Sequence, residues 1–504
     1  MQRVHLLGQD LLQCSSDPST GLGGQVSDRQ FSWSKVNIPH QWSLLSGQSK
    51  SSLWTDEQRF LARLSWAMVQ LQIQAPWSVL EDLAELLTEC MTHPHRYFHT
   101  PAHVFEVAEG GDAIEVLAAL FHDIVYVQVD DGISIHLSRD LVPFIKEVRG
   151  RLQIRSETEL PLDPTFRLVA TIFDVQPDQH LALEQNEFLS ALVAAKRLEP
   201  LLSQSQLAEV VGCIEATIPF RPPFPSGLKP DERLHQNLGI ANSRFDLGFS
   251  QLELGQVVQR CVRLANRDVE NFAESAASRF LNNTWKLLPE TNPVLRDAST
   301  YTVQHYRSAL ERMVSFMHYL DPSLVFRQFQ QEPNPEQYGD LCQRAGKNIA
   351  VARLYLDTKL VAIAMLEALS IGMGNHVPLL NLVGQSPGHV ERTEVIAWEK
   401  RLPKGQPYRA HSPIEQEVMD LLEFGRTQES NFDIKNSPLA NFLVKAQGFE
   451  TIVTLFSEAK AFFQGKLTSE EFLQTCDPKI VTIVRAAMVE EIENHRPLLG
   501  DFAE

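Results

Sequence analysis

Apolar residues recur at intervals of three and four along most of the chain, the spacing that lines up one face of an α-helix. Phe60, Leu61, Leu64, Met68 and Leu71 share such a stripe, and Thr55 with Gln58 has the spacing of a capping box at its start. Leu80, Leu83, Leu86 and Leu87 repeat the pattern. Helices are also predicted over 113–126, 188–202, 207–217 and 252–280. Further on, Ile452, Leu455, Phe456, Ala459, Phe462 and Phe463 trace one helix, and Thr468 with Glu471 caps another. Alternating patterns are rare. The short candidates at 125–129 and 168–173 read equally well as helix ends. No repeat of fixed period is present. The expected class is all-α, or nearly so.

Breaks fall where proline and glycine gather. Pro222-Pro223 and Pro225-Ser226-Gly227 require a loop over 219–230, and Pro387-Gly388 with Pro403-Lys404-Gly405 mark an irregular stretch over 384–413. The first fifty residues are rich in Ser, Gly and Gln and lack helical periodicity. These breaks divide the chain into a loosely ordered segment (1–52), a helical domain (53–290) and a second helical region (291–504). A length of 504 residues agrees with that division at about 150 residues per domain.

Composition narrows the class. Hydrophobic residues at 43% and charged residues at 21% leave ample material for a buried core. Lys and Arg number 45 against 63 Asp and Glu, a net charge of −18, which argues against a general binder of nucleic-acid polymers or anionic membranes. Cys14, Cys90, Cys213, Cys261, Cys342 and Cys476 are scattered with no Cys-x-x-Cys pair, so neither a thiolate zinc site nor a disulfide framework is expected. The longest apolar run, 360–374, is interrupted by Glu367, and residues 1–13 lack a signal-peptide pattern. A soluble, cytoplasmic protein is the expectation.

The candidate chemistry is concentrated in Arg96-Tyr97-Phe98-His99-Thr100-Pro101-Ala102-His103 and Leu120-Phe121-His122-Asp123-Ile124-Val125-Tyr126. Thr100 is a good N-cap and Pro101 suits the first helical position, which makes His103 the third residue of a new helix. His99 then lies just before the positive end of that helix. His122 and Asp123 interrupt an apolar run, where a charge is costly unless paired or bound to a metal. One such pair alone reads as a satisfied core histidine beside a capping aspartate. Ligand-type residues in two nearby helices turn the reading toward a metal site.

His103, then His122-Asp123, then a distant Asp resembles the HD superfamily of metal-dependent phosphohydrolases. The His99-x-x-x-His103 lead-in is similar to the opening of its cyclic-nucleotide phosphodiesterase branch. Phe121-His122-Asp123-Ile124-Val125-Tyr126 is similar to a set of bacterial predicted phosphohydrolases in which Asn-Glu and a small-residue helix follow. Asn186-Glu187-Phe188-Leu189-Ser190-Ala191 would be that helix, which makes most of 127–184 an insertion. Glu215-Ala216-Thr217 resembles a helix end that often supplies further ligands, but the chain continues Ile218-Pro219-Phe220-Arg221, a departure that bears on whether a second ion binds.

The resemblance implies a metal held by His103, His122, Asp123 and a closing Asp, for which Asp268 is chosen over Asp174 and Asp246. Such a donor set suits Mn, Fe, Co, Ni, Zn or Mg. His99 would protonate the leaving oxygen, supported by Glu187 or Glu106, while Arg96, Arg267 and Lys196 would clamp phosphate. The expected activity is hydrolysis of a small phosphomonoester or phosphodiester, nucleotide-like among the options. The alternative is a non-catalytic regulatory or ligand-binding module whose C-terminal helices bind a partner or form a homodimer.

Overall fold

The computed structural model describes residues 54–181, 185–296, 302–372, 401–403, 407–428, 430 and 432–495. The segment 1–52, and the irregular stretch expected over 384–413 except for 401–403 and 407–413, lie outside them. Among the described residues are 17 α-helices and one two-stranded sheet, and the chain is predominantly all-α. Contacts divide it into two units: the chain up to Asp268 together with Arg327–Pro333, and Val269–Phe326 together with Asn334 onward.

The first unit opens with α1 (Asp56–Gln70), capped by the Thr55–Gln58 box, and α2 (Trp77–Met91) packed against it. Then come α3 (Pro101–Ala108) and α4 (Ala113–Phe121). The stretch 127–184 holds α5 (Ile135–Leu141), a hairpin of β1 (Ile145–Val148) and β2 (Arg151–Ile154), and α6 (Pro164–Phe173). Arg149 and Gly150 turn the hairpin with φ of 54° and 74°, a geometry that favours glycine at the second position. The strand candidates at 125–129 and 168–173 are instead a turn and the end of α6.

Four helices complete this unit: α7 (Gln185–Leu198), α8 (Gln204–Ala216), α9 (Pro230–Phe245) and α10 (Gln251–Asp268). Helix α8 is buried along nearly its whole length because α4, α6, α7, α9 and α10 all pack on it. The helix expected over 252–280 breaks after Asp268, where a 3₁₀ turn over Glu270–Ala273 intervenes. The division into units falls at this break, ahead of the boundary at 290 drawn from the sequence.

The second unit contains α11 (Ala277–Thr291), α12 (Val303–Tyr319), α13 (Pro335–Gly372), α14 (Pro413–Phe424), α15 (Pro438–Phe463), α16 (Ser469–Thr475) and α17 (Pro478–His495). Its axis is α13, 38 residues long and buried on all sides from Tyr355 to Leu366, with α11, α12, α14, α15 and α16 packed on it. The apolar run seen in the sequence is therefore core as far as Ser370, and Glu367 within it pairs with Arg307 at 2.9 Å. Among the described residues no helix is long and apolar enough to cross a membrane.

Candidate functional site

Three helix termini and one turn bring the reactive side chains together. Thr100 is the N-cap of α3 in extended conformation and Pro101 is its first residue, which leaves His103 in the first turn, 8% exposed. The Thr100 hydroxyl makes no capping bond, so the proline's fixed φ sets this start. Helix α4 begins in a capping box at Asp112 and is buried throughout, and His122 is its C-cap.

The helix does not run on to 126, because side chains take over the backbone groups of the next turn. Arg96 Nη1 donates to the Asp123 carbonyl at 2.7 Å and its Nη2 to that of Ile124 at 3.3 Å. Ser190 Oγ accepts from Val125 N–H at 3.1 Å, and Asn186 Oδ1 from Val127 N–H at 3.2 Å. Both acceptors stand on α7. The Asn186-Glu187 helix is thus fastened to the His122-Asp123 turn although some sixty residues separate them in sequence.

Helix α10 closes the site. Its last three residues diverge because each successive helical residue is rotated by about 100°. Asn266 bonds Arg327, Arg267 donates through Nε to the Val107 carbonyl at 2.9 Å, and Asp268 meets the imidazoles.

The ligand atoms of His103, His122 and Asp123 lie within 4.8 Å of one another. Asp268 Oδ1 is 3.1 Å from His103 Nε2 and 3.3 Å from His122 Nε2. Asp123 Oδ2 is 3.0 Å from His122 Nε2 and 3.6 Å from His103 Nε2. Ligands at about 2.1 Å from one octahedral ion stand about 3.0 Å apart when adjacent, and somewhat farther in a tetrahedron. The imidazole–carboxylate spacings fit either. At His122 Nε2 and Asp123 Oδ2 no aligned hydrogen-bond partner exists among the described residues, despite their proximity. His122 Nδ1 lies 2.8 Å from the Ala119 carbonyl; a proton there donates to it and leaves Nε2 to face the carboxylates, as in metal-binding histidines.

Electrostatics agree with a cation-seeking cluster. Burial alone would lower the His122 pKa, yet Asp123 and Asp268 outweigh it and hold the imidazole well above its ordinary value. Burial would raise Asp123, but His122, His99 and His103 pull it far below the carboxylate range. Asp268, opposed by the same burial, is drawn down to about 2, chiefly by His122 and His103. Glu187 behaves oppositely. Burial pushes it up to about 7, with the charges of Asp123 and Asp268 adding and Arg221 opposing.

The other expected residues divide. His99 is half-buried at the cluster, its ring 5.9 Å from that of His103 and edge-on to Tyr126 at 4.6 Å. Glu106 is exposed on α3. Asp174 and Asp246 end α6 and α9 in left-handed conformation, and Asp174 pairs with Arg233. The three expected phosphate clamps are engaged elsewhere. Arg96, with its guanidinium enclosed, binds Asp130 at 2.6 Å besides the two carbonyls. Arg267 turns toward Val107 and Glu115, and Lys196 binds Asp163 and Glu199. Sequence reasoning did not assign Arg221, which pairs with Glu215 at 2.7 Å, or Phe98, whose ring lies 4.7 Å from that of His103. The Glu215-Ala216-Thr217 helix end was the available signal for the first. No protein-family profile, curated protein or solved structure matches this chain.

Proposed function

We propose that the first unit is a metal-dependent phosphohydrolase of the HD type, acting on a small phosphate ester. The observation that carries this reading is the mutual approach of the His103, His122 and Asp123 donor atoms, with Asp268 Oδ1 at 3.1 and 3.3 Å from the two imidazole nitrogens. Two of these atoms lack aligned hydrogen-bond partners among the described residues. His103, His122, Asp123 and Asp268 would hold one divalent ion of the Mn, Fe, Co, Ni, Zn or Mg class. When bound, such an ion acidifies a water and offsets charge on phosphoryl oxygens.

The chain's own residues supply the rest. His99 stands beside the cluster, its ring 5.9 Å from that of His103 and its charge acting on Asp123, which suits it to give a proton to the departing oxygen. Glu187, raised toward neutrality beside Asp123 and Asp268, holds or accepts a proton near the attacking water. The order of bond changes is attack on phosphorus, cleavage of the ester P–O bond, and proton delivery to the leaving oxygen.

The test is elemental analysis of protein purified without added metal, followed by a panel of phosphomonoesters and diesters assayed with each divalent ion in turn. Hydrolysis that disappears with chelation and returns with metal supports the proposal. Metal bound at full stoichiometry with no ester hydrolysed favours the regulatory-module reading, in which the same cluster holds a ligand.

A further inference from the structure

We propose that Arg327 is a positioning residue for the metal centre, acting through the helix ends that carry and flank its ligands. The inference rests on the metal reading of the site. It begins with an oddity of chain order: Arg327–Pro333 belongs to the first unit, although the residues on both sides of it belong to the second. The segment forms a tight turn in which Phe329 and Glu332 exchange both backbone hydrogen bonds at 2.9 Å. Gln330 and Gln331 at its tip have φ of 46° and 66°. Phe329 joins the core of the first unit, and Gln259 on α10 donates to the Gln330 carbonyl at 3.0 Å.

At the head of this strap one residue binds three helix termini. The Arg327 N–H donates to Asn266 Oδ1 at 2.8 Å, and its carbonyl accepts from Asn266 Nδ2 at 3.0 Å. The Arg327 guanidinium reaches the Ile218 carbonyl just beyond α8 and Asp231 Oδ1 in the first turn of α9, the latter at 3.4 Å. Asn266 stands two residues before Asp268 in the last turn of α10. Helix ends fray because their final carbonyls have no partner within the helix, whereas a ligating carboxylate has to be held to within about 0.5 Å. The reciprocal amide–backbone pair anchors that turn.

On the α8 side, the stretch that Arg327 holds by the Ile218 carbonyl begins at Glu215, the partner of Arg221. Arg221, Glu215, Arg327 and Asp231 form a group of two cations and two anions around these termini, charge-balanced in itself. The group therefore orders the helix ends without altering the net charge beside the metal ligands. Its role is geometric.

The test uses full-length, metal-stripped protein and Mn²⁺ as the probe, by equilibrium dialysis, with Asn266→Ala, Arg327→Met and Arg327→Lys beside the wild type. Hydrogen exchange of α10 amides is followed in the metal-free state. Asn266→Ala and Arg327→Met are expected to weaken Mn²⁺ binding about 10- to 100-fold, the usual effect of losing a residue that orients a ligand. Faster exchange should be confined to the last turn of α10, and Arg327→Lys should fall between. A merely structural role would lower the melting temperature and leave the Mn²⁺ dissociation constant within twofold of wild type, which would overturn the inference. Should Arg327→Met not fold, Asn266→Ala decides, because it leaves both guanidinium contacts in place. Wild-type protein that binds no Mn²⁺ or other divalent ion overturns the metal reading, and the positioning role with it.

Discussion

The pKa values of His122 and Glu187 both rise, the first because Asp123 and Asp268 outweigh burial and the second chiefly through burial, and the consequences differ. The carboxylates hold a proton on the His122 imidazole, in the place a divalent ion would neutralise. Metal uptake should release that proton, so affinity for Mn²⁺ should rise as pH increases, a trend that proton-release calorimetry in two buffers can check. Affinity independent of pH would contradict it. Glu187 is protonated more tightly in the folded chain, at about 7, than in an unfolded one, at about 4.3. Its contribution to stability is therefore complete below the unfolded value and is lost as pH rises toward 7 and beyond. In metal-free protein Glu187→Gln should remove this loss, so its melting temperature should exceed that of wild type at pH 8 and match it near pH 4. Bound metal, which favours the carboxylate, should narrow the difference. His99 calls for a different experiment. His99→Ala should leave metal content intact and cut turnover of an alkoxide-leaving ester about 10²- to 10⁴-fold. A nitrophenyl phosphate, whose leaving group needs less protonation, should lose less. Equal losses on the two esters would make His99 a structural residue or a ligand.

At the scale of elements, the site depends on a turn that is held rather than helical. Arg96 binds the carbonyls of Asp123 and Ile124 and the Asp130 carboxylate from a fully enclosed position. Breaking a buried pair by removing one partner typically costs about 3–5 kcal/mol, because the other charge is left uncompensated. Arg96→Met should lower unfolding stability in urea by that order and reduce metal binding as the His122-Asp123 turn loosens. A loss below about 0.5 kcal/mol, the scale of an ordinary surface substitution, would show that the turn holds without it. Part of this arrangement was legible in the sequence: the Thr100-Pro101 start and the apolar run ending in His122-Asp123 act locally through residue type and spacing, whereas the tie to the Asn186-Glu187 helix, some sixty residues on, was expected only from the family resemblance. The role of Arg96 was not legible. A guanidinium reaches as readily for a phosphate as for a carbonyl, and only the fold decides which lies within its reach. The β1–β2 hairpin escaped because strands of four residues carry too little alternation to stand out from helix ends. The break after Asp268 escaped because Val269 to Phe280 keeps apolar residues at helical intervals through a 3₁₀ turn. The strap at Arg327–Pro333 was beyond local patterning altogether, since its partners on α8, α9 and α10 lie some sixty to a hundred residues upstream.

At the scale of the whole molecule, the two units concentrate charge in different ways. The first gathers carboxylates and imidazoles that favour a cation. The second encloses two cations against one carboxylate: Asp433 Oδ2 accepts from Lys359 Nζ at 2.9 Å, from Arg426 Nη1 at 3.1 Å and from Trp285 Nε1 at 2.9 Å. The Arg426 guanidinium lies 4.2 Å from the Trp285 ring centroid, so the indole contributes from both its edge and its face. Burial would raise the Asp433 pKa, but Lys359 and Arg426 hold it below the ordinary value. The stability this carboxylate contributes is thus present above the unfolded pKa and lost as pH falls through the folded one. Asp433→Asn keeps the shape and removes the charge, leaving both cations buried without a counter-ion. The expected cost is about 3–5 kcal/mol in the second unit. Divalent metal should act on the first unit instead, adding about 4 kcal/mol when free metal is a thousandfold above the dissociation constant. Peptide-resolved hydrogen exchange on one preparation reads both effects. Asp433→Asn should speed exchange in α11, α13 and α15, and metal should slow it in α3, α4, α8 and α10. Metal protection that appeared in α13 and α15 but not around His103, His122 and Asp268 would place the ion in the other unit and remove the basis for the proposed centre.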